Sequence, residues 1–383
     1  MSPCPSDLGR RAAFYRMALG ALVLRLARAA ACCAGIGVLG ALGTPPPALA
    51  SPWTLPRGEV AISTAFEYQR ADSEFLDERG DERPFPLRGR YDGATFNLAG
   101  RFGLTDRLEL ELSLPFRLVS YRSDPVILLD RPEDSPLSPL DFFQENILDF
   151  SQTRVGTGDL TVAGRYQLWL DRLGAFALEL RLDTPTGYEG PAGTFGERPR
   201  SQEEFLADLP RFVAPENVTD DVTLGAGVFT VRPGLLLGLS FPSRTFLRVD
   251  GAYELRFGGG GDQVAWSFKV GQLLGDRLLV YAETRGTWAV TTGRIIGISV
   301  AAANPDLPAA DFAGAENLVI REVTLDRDAI DVGGGVLYRL TDQVEVFLGG
   351  SRIVYGRNTA AVGSIFTGFA VRTDLRPDPG DAS

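Results

Sequence analysis

Glu109 and Glu111 stand two residues apart, a spacing that suggests the paired carboxylates of a glycosidase. They sit inside an alternating run, so both fall on one strand face with no acceptor cleft between them. Catalysis is not expected there. Gly156 and Gly158, and the run Gly258 to Gly261, suggest phosphate-cradling loops. Neither is followed by Lys-Ser or Lys-Thr or by a helical pattern, so hairpin or strand-edge glycine is the better reading. The acids Asp72, Glu74, Asp77, Glu78, Asp81 and Glu82 could gather divalent cations, but Arg70, Arg79, Arg83 and Arg88 are interleaved with them. A solvated loop is expected and no metal site is assigned. The 383-residue chain contains no histidine, which removes the usual proton shuttle near neutral pH and the commonest metal ligand. The chain is read as a non-enzyme without a cofactor.

The cysteines offer no chemistry either. Cys4, Cys32 and Cys33 are the three in the chain, and all fall in a stretch that reads as a secretory signal. Arg10, Arg11, Arg16, Arg25 and Arg28 precede a small apolar run from Ala29 to Gly43, and Ala48-Leu49-Ala50 places cleavage before Ser51. Met17 is an alternative start. Two other leader types are weaker matches: Arg10-Arg11 with Phe14 for a twin-arginine signal, and Ala30-Ala31-Cys32 for a lipoprotein site. Removing residues 1–50 leaves 383 − 50 = 333 residues with no thiol, so no disulfide framework. The leader takes five arginines and Asp7 with it, giving a mature charge of (38 − 5) − (49 − 1) = −15. That balance argues against a nucleic-acid partner, which needs a basic face.

The elements that carry these residues are strands. From Leu108 to Leu118, leucines and Phe116 occupy one face while Glu109, Glu111, Ser113, Pro115 and Arg117 occupy the other. The same alternation recurs. Val60, Ile62, Phe66 and Tyr68 oppose Glu59 and Glu67, and Phe96, Leu98 and Phe102 oppose Asn97 and Arg101. Leu160, Val162, Tyr166 and Leu168 oppose Arg165 and Gln167; Leu178 and Leu180 oppose Glu179 and Arg181; Leu247 and Val249 oppose Arg248 and Asp250. Val264, Trp266, Phe268 and Val270 form another apolar face, and 278–288, 329–340, 344–355 and 364–373 supply further candidates. Past position 51 no apolar run reaches the roughly 18 residues of a membrane helix, whereas strands of about ten suit a tilted crossing.

Connections alternate in length. The gaps near 69–90, 122–153, 187–219 and 289–327 are long and polar. Tight turns at Thr105-Asp106-Arg107, Asp171 to Gly174, Gly275-Asp276-Arg277 and Thr341-Asp342-Gln343 lie between them. Short periplasmic turns and long external loops mark outer-membrane barrels. The fold class is therefore all-β: a transmembrane antiparallel up-and-down β-barrel over residues 51–374, of about twelve strands and at most fourteen. Two places leave the count open: Pro233 within Val222 to Phe241, and a possible hairpin inside 289–327. Residues 375–383 are expected to form a short disordered tail.

Closure assigns the faces, because hydrocarbon satisfies no backbone edge and charges there are costly. Arginines 117, 165, 181, 248, 256, 285 and 339 then face inward among acids 59, 67, 109, 111, 159, 179, 183, 250, 254, 283, 331 and 345. They can pair across neighbouring strands. From these come the candidate pore-lining residues Glu109, Glu111, Arg117, Arg165, Glu179, Arg181, Arg248, Glu254 and Arg256. A ladder of structural ion pairs is the competing reading of the same face.

The run Gly103 to Phe116, with Gly156-Thr-Gly-Asp-Leu-Thr-Val162 and Asp183-Thr-Pro-Thr-Gly187, resembles the outer-membrane transporter-like barrels named for the meta-pathway of phenol degradation. These are distantly similar to FadL-type channels for hydrophobic compounds. The resemblance implies a barrel of transporter type. FadL-type channels carry an N-terminal hatch before the first strand, and here about eight residues separate Ser51 from that strand. A plug is expected instead from an external loop, Leu140 to Phe150, through Phe142, Phe143, Ile147 and Leu148. The aromatic residue that usually ends such barrels is missing, with Phe369 the nearest substitute. The sequence thus points to an exported, monomeric barrel in the outer membrane of a Gram-negative cell. It would act as a passive channel for small solutes, hydrophobic or aromatic ones among them, with membrane lipid around it. The rival reading is a structural or adhesive surface barrel that transports nothing.

Overall fold

The computed structural model describes residues 52–75, 80–127, 133–149, 151–187, 204, 207, 223–302 and 318–376. The expected signal peptide and residues 377–383 of the expected tail lie outside these. Leu375 and Arg376 do not trail away: the Leu375 N–H donates to the Gly58 carbonyl at 3.0 Å, and Arg376 bonds Asp374.

Thirteen strands share one sheet. In chain order they are β1 (Glu59–Ala71), β2 (Arg90–Gly103), β3 (Leu108–Arg122), β4 (Gln152–Thr157), β5 (Leu160–Asp171) and β6 (Gly174–Thr184). Then follow β7 (Phe229–Ser240), β8 (Thr245–Phe257), β9 (Gln263–Leu274), β10 (Leu278–Ala289), β11 (Asp328–Arg339), β12 (Val344–Arg357) and β13 (Gly363–Asp374). Each pairs antiparallel with its neighbour, and β13 returns to β1, so twelve strands close a ring. Short β4 is the upper part of the β5 crossing. β3 pairs with β5 over Leu108–Ser113 and with β4 over Phe116–Tyr121. The break falls beside Pro115, which has no N–H to give; its carbonyl instead takes the Gly158 N–H at 2.7 Å.

Both uncertain places resolve. Pro233 lies inside β7, in register with Leu180 of β6, and the pairing toward β8 lapses only at Arg232 and Pro233. The missing donor thus points to β8 and the strand runs on. The hairpin inside 289–327 exists as Ile295–Ala302 paired with Leu318–Thr324, but it forms a separate two-stranded sheet and adds nothing to the ring. One end of the barrel carries only tight turns, as at Gly275 with φ +62°, where glycine accepts the left-handed region freely.

The faces fall as the alternation requires. Ile62, Phe66, Phe96, Leu112, Phe116, Leu180 and Leu348 project outward and are exposed, while Ala61, Ser63, Ala65 and Glu67 turn inward and are buried. Within the segment expected as a plug, Pro139–Asn146 is a short helix. Ser138 Oγ accepts the Asp141 N–H at its start, at 3.1 Å. Ile147–Leu148 pairs with Val126–Ile127. The side chains of Phe143, Ile147 and Leu148 lie outside the described residues, and Phe142 is half-buried.

Candidate functional site in the barrel lumen

Strand register builds an ion-pair network on the inner wall near the short-turn end. Glu109 of β3 stands opposite Arg165 of β5, which stands opposite Glu179 of β6. A guanidinium with five donors suits such a row. Arg165 donates to Glu109 at 2.7 Å, Glu111 at 2.5 Å and Glu179 at 2.6 Å. Glu109 also receives Arg101 of β2 through two N–H groups, at 2.8 and 2.6 Å. Its side chain is fully buried. A buried charge survives only when paired and hydrogen-bonded, and here every acid of the row has such a partner.

The pairing continues around the wall. Arg181 bonds Asp183 at 2.9 Å, and Arg232 approaches Glu254 at 3.4 Å. Arg248 pairs with Asp250, which also takes the Ser267 hydroxyl at 2.6 Å. Lys269 meets Glu283 at 2.7 Å and lies over the Tyr281 ring, and Arg285 meets Asp331 at 2.7 Å. The ionic arc therefore runs from β2 to β11. The remaining wall carries fewer charges, with Glu67 of β1 turned inward and Arg372 of β13 approaching Glu59 at 3.8 Å, and among them an apolar patch: Phe347 of β12, Phe366 of β13 and Ala65 of β1 cluster with Leu337 of β11. Gly349 makes room for this, since a Cβ there would sit 2.4 Å from the Phe366 ring.

A segment ahead of β1 enters this space, which corrects the expectation that only an external loop could plug the barrel. The Leu55 N–H donates to Glu109 at 2.8 Å, and the Pro52 carbonyl accepts from Gln167 of β5 at 2.9 Å. Pro52 and Leu55 are fully buried. Trp53 lies on Gly238 of β7, where a Cβ would fall 2.4 Å from its ring. Residues 52–57 thus reach from the β2–β3 turn, where Arg57 N–H meets Asp106 at 3.2 Å, to β7. Six extended residues cover roughly 20 Å, so eight before the first strand suffice.

The nine candidate residues all lie on the inner face, in two settings. Glu109, Glu111, Arg165, Glu179, Arg181, Arg248 and Glu254 belong to the ionic arc. Toward the long-loop end, Arg117 donates to the Leu224 carbonyl at 3.1 Å, and Arg256 to the Leu325 and Gly261 carbonyls at 3.1 and 3.3 Å. Arg101, Gln167 and Lys269 bond within the same inner wall and were not among the sequence candidates. Each sits on the polar side of an apolar alternation, which was the available signal. Pro52–Leu55 also escaped it, although Pro52-Trp53-Thr54-Leu55-Pro56 is an apolar stretch just past the expected cleavage point.

A closed antiparallel ring, apolar outside and ionic within, defines a transmembrane β-barrel. No family description matches the chain, and no curated protein matches its sequence. Among solved structures, it is similar in fold to an outer membrane channel from Pseudomonas putida F1. The TM-score is 0.54 at 12% identity, covering 87% of this chain and 100% of that one. Looser likenesses include a variant of TodX, a monoaromatic hydrocarbon channel, with TM-score 0.39 at 9% identity over 88% of this chain and 96% of that one. The KdgM porin follows at TM-score 0.38 and 5% identity, over 81% and 98%. The resemblance drawn from the sequence agrees with the Pseudomonas putida channel at the level of fold. All three are named as channels or porins.

Proposed function

We propose that this chain is a passive outer-membrane channel for small solutes, hydrophobic or aromatic ones among them, with the short-turn end in the periplasm. The observation that carries this reading is the two-sided lumen. An ionic arc on β2 to β11 faces an apolar patch of Phe347, Phe366 and Leu337, so a small amphipathic or aromatic solute meets apolar surface on one side and fixed charge on the other. The candidate residues, with Arg117 and Arg256 nearest the long loops, line that path. The fold likeness to a channel that spans the whole of its own length supports the same reading. Under it, residues 52–57 form the narrowest part of the path, and no reaction is assigned to the protein.

Planar-bilayer conductance tests the proposal. Wild type should conduct weakly, and deletion of residues 52–56 should raise conductance several-fold. Silence in both proteins, and also after deletion of residues 122–153, would discard the channel reading. A liposome-swelling screen of small aromatics, sugars and organic acids then ranks the solutes, with aromatics expected to pass fastest.

A further inference from the structure

Among the described residues of the barrel strands, charge on the outer wall gathers in one sector at the long-loop rim. On β7 to β10 the outward rim positions are Phe229, Phe257, Val264 and Trp288. Across β12, β13 and β1 the row at that level reads Arg352, Gly363, Arg70, since Gly363 is in register with both arginines. On the neighbouring strands Asp92 of β2 stands in register with Arg70, its carboxylate held by Arg90 at 2.8 Å and by the Tyr68 hydroxyl at 2.5 Å, and Arg90 faces Arg122 of β3. The face is outward because Arg70 continues the alternation of Ile62, Phe66 and Tyr68, all exposed.

The two arginines stand two strand spacings apart, about 10 Å, with no side chain between them. A Cβ on Gly363 would meet only the Arg70 carbonyl oxygen, at 3.9 Å. The result is a groove of about 490 Å³ lined by Tyr68, Arg70, Arg352 and Ile365, with Asp72 at its loop-side lip. Its membrane-side lip is apolar: Ile365 is 64% exposed, in register with Tyr68. Arg352 gives one N–H to Glu82 at 2.8 Å and keeps 60% of its side chain exposed. The side chains of Arg70 and Arg122 form no hydrogen bond or ion pair among the described residues.

Cations immediately above an apolar belt complement a lipid whose anionic headgroup lies at that depth. Guanidinium is also the side chain that grips phosphate oxygens bidentately. We infer that the groove between Arg70 and Arg352 binds the phosphate of an outer-leaflet glycolipid, whose acyl chains run down past Ile365 and Phe66. This rests on the outer-membrane reading, with the long loops at the cell surface, but not on conduction.

Native mass spectrometry of the full mature protein in detergent tests the site, with bisphosphorylated lipid A and the same lipid stripped of phosphate as probes. The exposed arginines leave the fold intact when replaced, which heat-modifiability on gels verifies. One basic group near a headgroup is worth about five-fold in affinity, so Arg70→Gln with Arg352→Gln should weaken binding of the phosphorylated lipid roughly thirty-fold. Arg172→Gln with Arg277→Gln, the same charge change at the opposite end, should have no effect. Equal affinity for the stripped lipid, or a loss of under about three-fold in the first pair, would overturn the assignment. An epitope inserted after Asp134 should be reached by antibody on intact cells, and an unreachable epitope would overturn the sidedness beneath it. Bilayer conductance of the Arg70/Arg352 variant should equal wild type, so the lipid site and the channel stand or fall on separate measurements.

Discussion

Replacing Glu109 with glutamine keeps its shape and removes its charge, which makes it the sharpest test of the inner network. The carboxylate takes four N–H groups, two from Arg101, one from Arg165 and one from Leu55. Glutamine offers one oxygen and places an NH2 against the other donors, so two buried guanidiniums lose an ionic partner. Breaking a buried pair from one side costs about 3–5 kcal/mol, because the partner charge stays in the interior. Relief limits the damage, since Arg165 retains Glu111 and Glu179. An expected loss of about 3 kcal/mol follows. Glu179→Gln weakens a single 2.6 Å contact to the same arginine and, since glutamine keeps an acceptor, should cost about 1.5–2 kcal/mol, the low end for a hydrogen bond to a charged group. Urea unfolding in micelles measures both. Iodide quenching of Trp53 adds a second readout, since only the Glu109 variant loses the anchor of Leu55. If Glu109→Gln costs no more than Glu179→Gln and Trp53 stays shielded, the convergence of donors on Glu109 is not what holds this end of the barrel together.

Gly238→Val should expel the segment from its seat, because a Cβ there would come 2.4 Å from the Trp53 ring; raised single-channel conductance with unchanged melting is the expected result. Gly349→Leu should instead destabilise the apolar patch by about 1–3 kcal/mol through overpacking against Phe366, seen as a lower urea midpoint. At the long-loop mouth, Asp326 is buried, which opposes its ionisation, yet hydrogen bonds from Thr324, Arg357 and the Gly293 N–H hold its carboxyl below the usual range. A folded value below the unfolded one gives stability that is present above the ordinary Asp range, about pH 4, and is lost as pH falls through the folded value. The protection factor of the Gly293 amide, its exchange rate relative to the intrinsic rate at each pH, should therefore stay high from pH 5 to 8 and fall in acid, and Asp326→Asn should remove that pH dependence.

The parts of the fold that a strand period fixes were legible in the sequence. Leu108 to Leu118 alternates so strictly that its faces, and the burial of Glu109 and Glu111, follow from period two alone. What one strand cannot reveal is its partner's register. The opposition of Arg165 to both Glu109 and Glu179 depends on the break between β4 and β5 after a long connection and on the bulge at Phe176 and Ala177 in the β5–β6 pairing. Lys269 was obscured because its strand reads as apolar through Trp266, Phe268 and Val270, with one charge between them. The seat of Pro52–Leu55 was hidden for another reason. A non-repeating segment carries no period, and its place is set by Gln167 and Gly238, more than a hundred residues away.

The same network decides between the two readings of the inner face, and it does so by position. At the short-turn end Arg165 spends its donors on three carboxylates and Glu109 accepts from both Arg101 and Arg165. Such groups brace the wall: their charges are mutually neutralised, and a passing ion gains little from them. Toward the long loops Arg117 and Arg256 bond carbonyl oxygens of Leu224, Gly261 and Leu325. A carbonyl satisfies a donor without cancelling its charge, and with Glu254, Asp262 and Asp326 only near Arg256 and Asp159 near Arg117, these guanidiniums are less fully neutralised than Arg165. Under the channel proposal, structural pairing and solute selection occupy different depths of one lumen. Charge substitutions at Arg117 or Arg256 should shift anion-over-cation preference in reversal-potential measurements, whereas Glu179→Gln should lower stability and leave that preference as it was.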